Sequence, residues 1–194
     1  QIVRDYLMRA PEIIYQAIQE LQKRQQATEA TRQQEMIAEH SSDIFRKAKD
    51  PFAGNSLGDI TLVEFFDYRC GYCRSMVSGL QQLIDSDQKL RFVFKELPVL
   101  GPDSVVAAQA ALAAAKLDQA KYYDFHVALM QSKDLDRDTI LAIAVKQGYD
   151  RDQIAAEMDQ PWVQERINAN LALAEQLVRP PCTPPVQRQL YQCS

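Results

Sequence analysis

The sequence predicts an α/β fold built on a strand–helix–strand unit, with a helical arm before it and a long helical insert after it. Three observations carry this. Ile60-Thr61-Leu62-Val63-Glu64-Phe65-Phe66 is a run of β-branched and aromatic residues, and Leu90-Arg91-Phe92-Val93-Phe94-Lys95 alternates; both read as strands. Between them Cys70-Gly71-Tyr72-Cys73 opens a helical pattern through Met76, Val77, Leu80, Leu83 and Ile84. From Pro102 to about Leu177 every periodic segment is helical, with breaks at Gly148-Tyr149-Asp150 and Gln160-Pro161.

The arm comes first. Residues 1–48 contain no glycine and read as helix. Ile2, Val3, Tyr6 and Leu7 begin an apolar stripe, Pro11 suits the first turn of a second helix, and Ile14, Ile18 and Leu21 continue at helical spacing. Residues 22–35, QKRQQATEATRQQE, are almost wholly polar. A helix polar all round has no local core to hold it, which makes this a solvated stalk or a linker. The apolar stripe before it needs a partner, either another copy of the chain or the chain's own globular part. The first reading makes 1–48 an oligomerisation arm. Pro51, Gly54, Asn55 and Gly58 then bring turn chemistry, so the boundary is placed near 49. The strand–helix–strand unit spans 49–101, the helical insert 102–177, and an atypical tail 178–194.

Composition excludes several functions. The chain of 194 residues has net charge −4, which argues against nucleic-acid binding. Apolar residues make up 46%, enough for a sizeable core, and no apolar run reaches the roughly 18 residues of a membrane span. The start, Gln1-Ile2-Val3-Arg4-Asp5, has no basic segment followed by an apolar one, so any signal peptide is taken as removed.

The chemistry lies in the cysteine pair. A strand followed by Cys-x-x-Cys at a helix start is the opening of a thioredoxin unit. A thiolate, not a thiol, attacks a disulfide, and a helix N-terminus favours the thiolate through its unpaired N–H groups. Cys70 is therefore the expected nucleophile, and Cys73, one turn on, the resolving thiol. Gly71 leaves the sulfur unshielded and Tyr72 is placed to meet a substrate. Arg69 and Arg74 flank the pair. Glu64 sits in an apolar strand, where a charge needs a reason. It reads either as a buried acid exchanging protons with Cys73 or as a strand-end residue facing water. Lys95 on the second strand is its expected charge partner.

Other readings of the same residues are weaker. Half a zinc site needs two further ligands; Cys182 and Cys193 are separated by ten residues, and His40 and His126 lack finger spacing, so no metal or cofactor is expected. His126, Tyr122, Tyr123, Phe125 and Trp162 read as packing residues. Cys182 and Cys193 suit a structural disulfide in an oxidising compartment.

The stretch from Gly58 to Cys73, GDITLVEFFDYRCGYC, resembles DsbA-like oxidoreductases. FKELPVLGPDS, 94–104, resembles the branch that holds suppressor-of-copper-sensitivity protein C and Com1-type proteins, as does the segment from Val3 to Ile14. The resemblance covers roughly 1–177. It implies a thioredoxin-like fold, a periplasmic location, protein thiol and disulfide substrates, a membrane redox partner and a homo-oligomeric arm. It also implies Cys70 as nucleophile, Cys73 as resolving cysteine, and Glu64 with Lys95 as a buried pair. Oligomeric members with Cys-Gly-Tyr-Cys act as isomerases, monomeric ones as oxidases. A chaperone-like or copper-sequestering thiol module is the competing function, since soft thiolates favour Cu(I).

The tail departs from that family. A Thr-Pro dipeptide, two strands and a last helix are expected after Leu177. Thr183-Pro184 is the candidate substrate-binding dipeptide, yet Pro185 stands where a strand should begin. The expectation is a C-terminal hairpin and helix missing or altered, through truncation or a frame shift.

Overall fold

The computed structural model describes residues 2–47 and 50–178. The chain divides into two compact units, Gln1–Ser41 and Ser42–Ser194.

The first unit is helical. α1 (Ile2–Arg9) ends before Ala10, and Pro11 caps α2 (Glu12–Glu39), where its missing N–H costs nothing. α2 runs 28 residues without burying one. Its polar half is held locally: Arg24 pairs with Glu20 and Arg32 with Glu29, the kind of pairing at helical spacing that stabilises an exposed helix. Val3, Tyr6, Met8, Ile14, Ile18 and Leu21 all lie open to solvent.

The second unit holds the sheet. α3 (Ser41–Phe45) opens at the boundary; β1 (Phe52–Gly54), β2 (Ile60–Phe66), α4 (Gly71–Ser86) and β3 (Leu90–Glu96) follow. Among the described residues the sheet has three strands in the order β1-β3-β2. β2 and β3 run parallel, joined by α4; β1 pairs antiparallel to β3. Sequence reading assigned 50–59 to a turn, and β1 is the difference. It is only three residues long, and Gly54, with φ of 77°, leaves the strand under the carbonyl of Leu90, where a side chain would clash.

The helical insert is α5 (Pro102–Leu117), α6 (Gln119–Gln131), α7 (Arg137–Lys146), α8 (Arg151–Met158) and α9 (Pro161–Val178). α5 is alanine-rich because it is surrounded: Ala107, Ala110, Ala111, Ala113 and Ala114 are wholly buried. Asp118, Asp136 and Asp150 cap α6, α7 and α8 through their side chains. The core runs from Phe66, Phe92 and Phe94 on the sheet to Tyr122, Phe125 and Leu129 of α6 and Ile140 of α7.

Candidate active site

The site forms where β2 ends and α4 begins. Asp67 builds the turn between them. One carboxylate oxygen accepts the Arg69 N–H and the Ser104 hydroxyl, both at 2.7 Å. The other accepts the N–H groups of Val99 (2.8 Å) and Leu100 (2.9 Å). This buried acid therefore ties the segment leading to Cys70 to the loop after β3. Asp67 is a site residue that the sequence reading above does not single out; an Asp three residues before a helix-opening cysteine is the available signal. Arg74 clamps the turn from the far side, donating from Nε to the Tyr68 carbonyl at 2.8 Å and from its terminal nitrogen to the Ser132 carbonyl.

Cys70 is the N-cap of α4, with extended backbone, and its carbonyl accepts the Arg74 N–H. Gly71 and Cys73 lie on the first turn. Both thiols are unbonded and partly exposed. Burial, the neighbouring Cys70 sulfur and the Glu64 carboxylate raise Cys73 from 9.0 to about 11, against a lowering contact with the Asp67 backbone. Cys73 is thus held as a thiol at neutral pH. Tyr72 is 84% exposed. An open groove of about 920 Å³ runs past both sulfurs, walled by Phe65, Tyr72, Leu97, Val99 and Leu100.

Glu64 is half-buried, and burial raises its carboxyl from 4.5 to about 7. Its expected partnership with Lys95 does not occur, and the sheet register gives the reason. Glu64 pairs with Phe94, and Phe65 with Lys95. Alternate residues of a strand face opposite sides, so Glu64 and Lys95 point away from one another. Lys95, wholly buried, instead meets the carboxylate of Asp50 and donates to the Asp43 carbonyl at 2.5 Å. Arg166 of α9 takes the other oxygen of Asp50.

On the Glu64 face lies a second acid. Glu96, 1% exposed at the end of β3, accepts the Tyr122 hydroxyl at 3.4 Å. Tyr68 shares a hydrogen bond of 3.1 Å with Nδ1 of His126. His126 is enclosed by the rings of Phe66, Phe94, Tyr122 and Tyr123. Burial lowers its pKa from 6.5 to about 3, so it is a neutral packing residue. Among the described residues no group of three or more metal-ligating side chains forms. Thr183, Pro184, Cys182 and Cys193 lie outside the described residues.

Residues 61–178 match the family model of the DSBA-like thioredoxin domain. The chain belongs to that family. Its members are thiol–disulfide oxidoreductases. Residues 1–28 match a second model, the copper resistance protein ScsC N-terminal domain. The chain is similar in structure to the thiol–disulfide exchange protein α-DsbA2 of Wolbachia pipientis, with a TM-score of 0.73. The two are 30% identical, over 78% of this chain and 82% of that one. The catalytic domain of Proteus mirabilis ScsC gives 0.67 at 25% identity, over 74% and 79%. The Na(+)/H(+) antiporter NhaA of Herminiimonas arsenicoxydans is 30% identical over 127 residues, 64% of this chain; the chain spans only 20% of that protein. No helix among the described residues is long and apolar enough to cross a membrane.

Proposed function

We propose that this DSBA-like chain exchanges disulfides in secreted polypeptides in the periplasm, as an isomerase or oxidase, with Cys70 as nucleophile and Cys73 as resolving thiol. The observation that carries the reading is the placement of the partly exposed Cys70 at the N-cap of α4 while Cys73, one turn on, is held as a thiol. The Cys70 thiolate attacks one sulfur of a substrate disulfide, forming a mixed disulfide and releasing the other sulfur as a thiolate. A second substrate thiolate can then displace Cys70, which completes isomerisation. Alternatively Cys73 loses its proton to Glu64 and attacks the Cys70 sulfur, leaving the enzyme oxidised and the substrate reduced. In the oxidase direction these steps run backwards, and a membrane redox partner re-forms the pair. The apolar groove suits an unfolded segment rather than a folded surface.

The arm supports self-association. Its apolar stripe at Val3, Tyr6, Ile14, Ile18 and Leu21 has no cover within its own unit, and residues 1–28 match the ScsC N-terminal model. An oligomer presents several thiol pairs to one misfolded client, which favours isomerisation.

Insulin reduction and refolding of scrambled ribonuclease test the chemistry. Cys70→Ser should abolish both, and Cys73→Ser should accumulate the mixed disulfide. Undiminished turnover by the Cys70→Ser variant would refute the assignment. For the arm, light scattering of Ile14→Glu/Ile18→Glu should show a smaller particle than the unaltered chain.

A further inference from the structure

Glu96 is the acid that neither the thiol chemistry nor the Lys95 ion pair employs. Its backbone is fixed: the Leu97 N–H donates to the Phe66 carbonyl at 2.8 Å, and the Glu96 carbonyl accepts from Asn170 of α9 at 3.1 Å. Its carboxyl is closed off from water, yet only one oxygen has a partner, the Tyr122 hydroxyl; the other, Oε2, has none among the described residues. Among the described residues no cation is paired with it, since Lys95 serves the opposite face. An unpaired carboxylate in such a place is prohibitively costly, whereas the neutral acid is tolerable. The titratable groups around it are Glu64 of β2, Asp67 and Tyr68 of the turn, and Tyr122 of α6, with His126 of α6 bonded to Tyr68. Burial, with the carboxylates of Asp67 and Glu64 behind it, raises Glu96 well above 4.5, against the lowering effect of the Tyr122 hydrogen bond.

Tyr68 makes this position matter. It is two residues before Cys70, its hydroxyl meets His126, whose ring packs against Tyr122, the partner of Glu96, and its carbonyl is held by Arg74 of α4. We propose that Glu96 is a positioning residue of the redox turn: with Tyr122 it seats Tyr68, and it does so as the uncharged acid, so that Glu64 is the lone titrating carboxyl beside Cys73. Ionised Glu96 would put a second negative charge on the face where Cys73 must itself become an anion to resolve a mixed disulfide, and would slow that step.

The positioning role rests on the assignment of Cys70 and Cys73; the charge state does not, and two measurements on the full chain separate them. The first is equilibrium unfolding of the reduced protein between pH 5 and 8, unaltered against Glu96→Gln. If Glu96 is neutral in the fold and ionised when unfolded, the folding constant of the unaltered protein falls relative to the variant by up to about tenfold per pH unit. A flat or rising ratio overturns the proposal. The second is resolution of a mixed disulfide formed with glutathione disulfide, followed across pH. Glu96→Ala should slow resolution at least tenfold and displace its pH profile, and Glu96→Gln should recover part of the rate. If Glu96→Ala fails to fold, Tyr122→Phe replaces it, with an expected loss of threefold or more. A folded variant with the unaltered rate and profile overturns the positioning role. Exchange persisting in Cys70→Ser would sink the thiol assignment and leave the unfolding result standing.

Discussion

The two faces of β3 handle buried charge in opposite ways. On one, Lys95 and Arg166 converge on Asp50, and each oxygen of that carboxylate has a cation. On the other, Glu64 and Glu96 share a face with Cys73, Tyr68 and His126, with no cation paired to either acid among the described residues. Charge that is matched ties elements together: β3, α9 and the segment before β1 meet at Asp50. Where charge is unmatched, burial favours the neutral form, and only the half-buried Glu64 stays free to take up and release a proton near neutral pH. The thiols lie on the unmatched side, where Cys73 needs a proton acceptor.

The matched face gives the largest expected effect. Asp50→Ala removes the carboxylate that both Arg166 and the wholly buried Lys95 meet, and should cost roughly 3–5 kcal/mol in chemical denaturation. Lys95→Met should cost less, since Asp50 retains Arg166. If Lys95→Met proved the worse of the two, Lys95 would have a second anionic partner and the division between the faces would fail.

The unmatched face shows its character through pH. His126 has a folded pKa of about 3 against 6.5 when free. The unfolded chain therefore binds a proton that the folded chain refuses. Its contribution is fully present above 6.5 and is lost as pH falls toward 3, at roughly 1.4 kcal/mol per unit. His126→Phe should flatten that slope between pH 6 and 4 while lowering stability at pH 7, because the Tyr68 hydroxyl loses its partner. An unchanged slope would place the acid sensitivity elsewhere.

Much of this arrangement is legible in the sequence, and the limits are physical. The run of β-branched and aromatic residues before Cys70 and the alternation of Leu90 to Lys95 mark β2 and β3, because strand composition there is undiluted. β1 is three residues long, too short for a periodic signal, and hides among turn residues. The partner of Lys95 is hidden for another reason: which residues share a face across two strands depends on register, and no single strand encodes it. Asp50 is 45 residues from Lys95 and Arg166 is 116 from Asp50, so only the closed fold reveals the triad. Glu96 is hidden in plain view, at a strand end where an acid usually meets water. His126 as a packing residue follows from its aromatic neighbours in the sequence.

Glu64 offers a smaller effect of opposite sign to Asp50. Its folded pKa, about 7, exceeds the free value of 4.5, so the folded chain holds a proton that the unfolded one releases. Stability from this source is complete below 4.5 and declines as pH rises through 7. Glu64→Gln should therefore raise stability at pH 8, by about 1 kcal/mol once solvent screening of a half-buried group is allowed for. The same variant should resolve the glutathione mixed disulfide more slowly near neutral pH, having no carboxylate to accept the Cys73 proton. A gain in stability with no loss of rate would make Glu64 a burdened bystander.

The smallest expected effect sharpens the comparison by removing burial from it. Arg151 meets Asp138 at 2.8 Å, but the two side chains are 47% and 89% exposed. Water screens such a pair, and holding two long side chains together costs entropy, so the contact contributes little. Arg151 also begins α8, where a cation opposes the helix dipole. Arg151→Ala should shift stability by less than about 0.5 kcal/mol in either direction. A loss approaching that of Asp50→Ala would mean that contact distance, not enclosure, sets the strength of these pairs, and the contrast between the two faces of β3 would lose its physical basis.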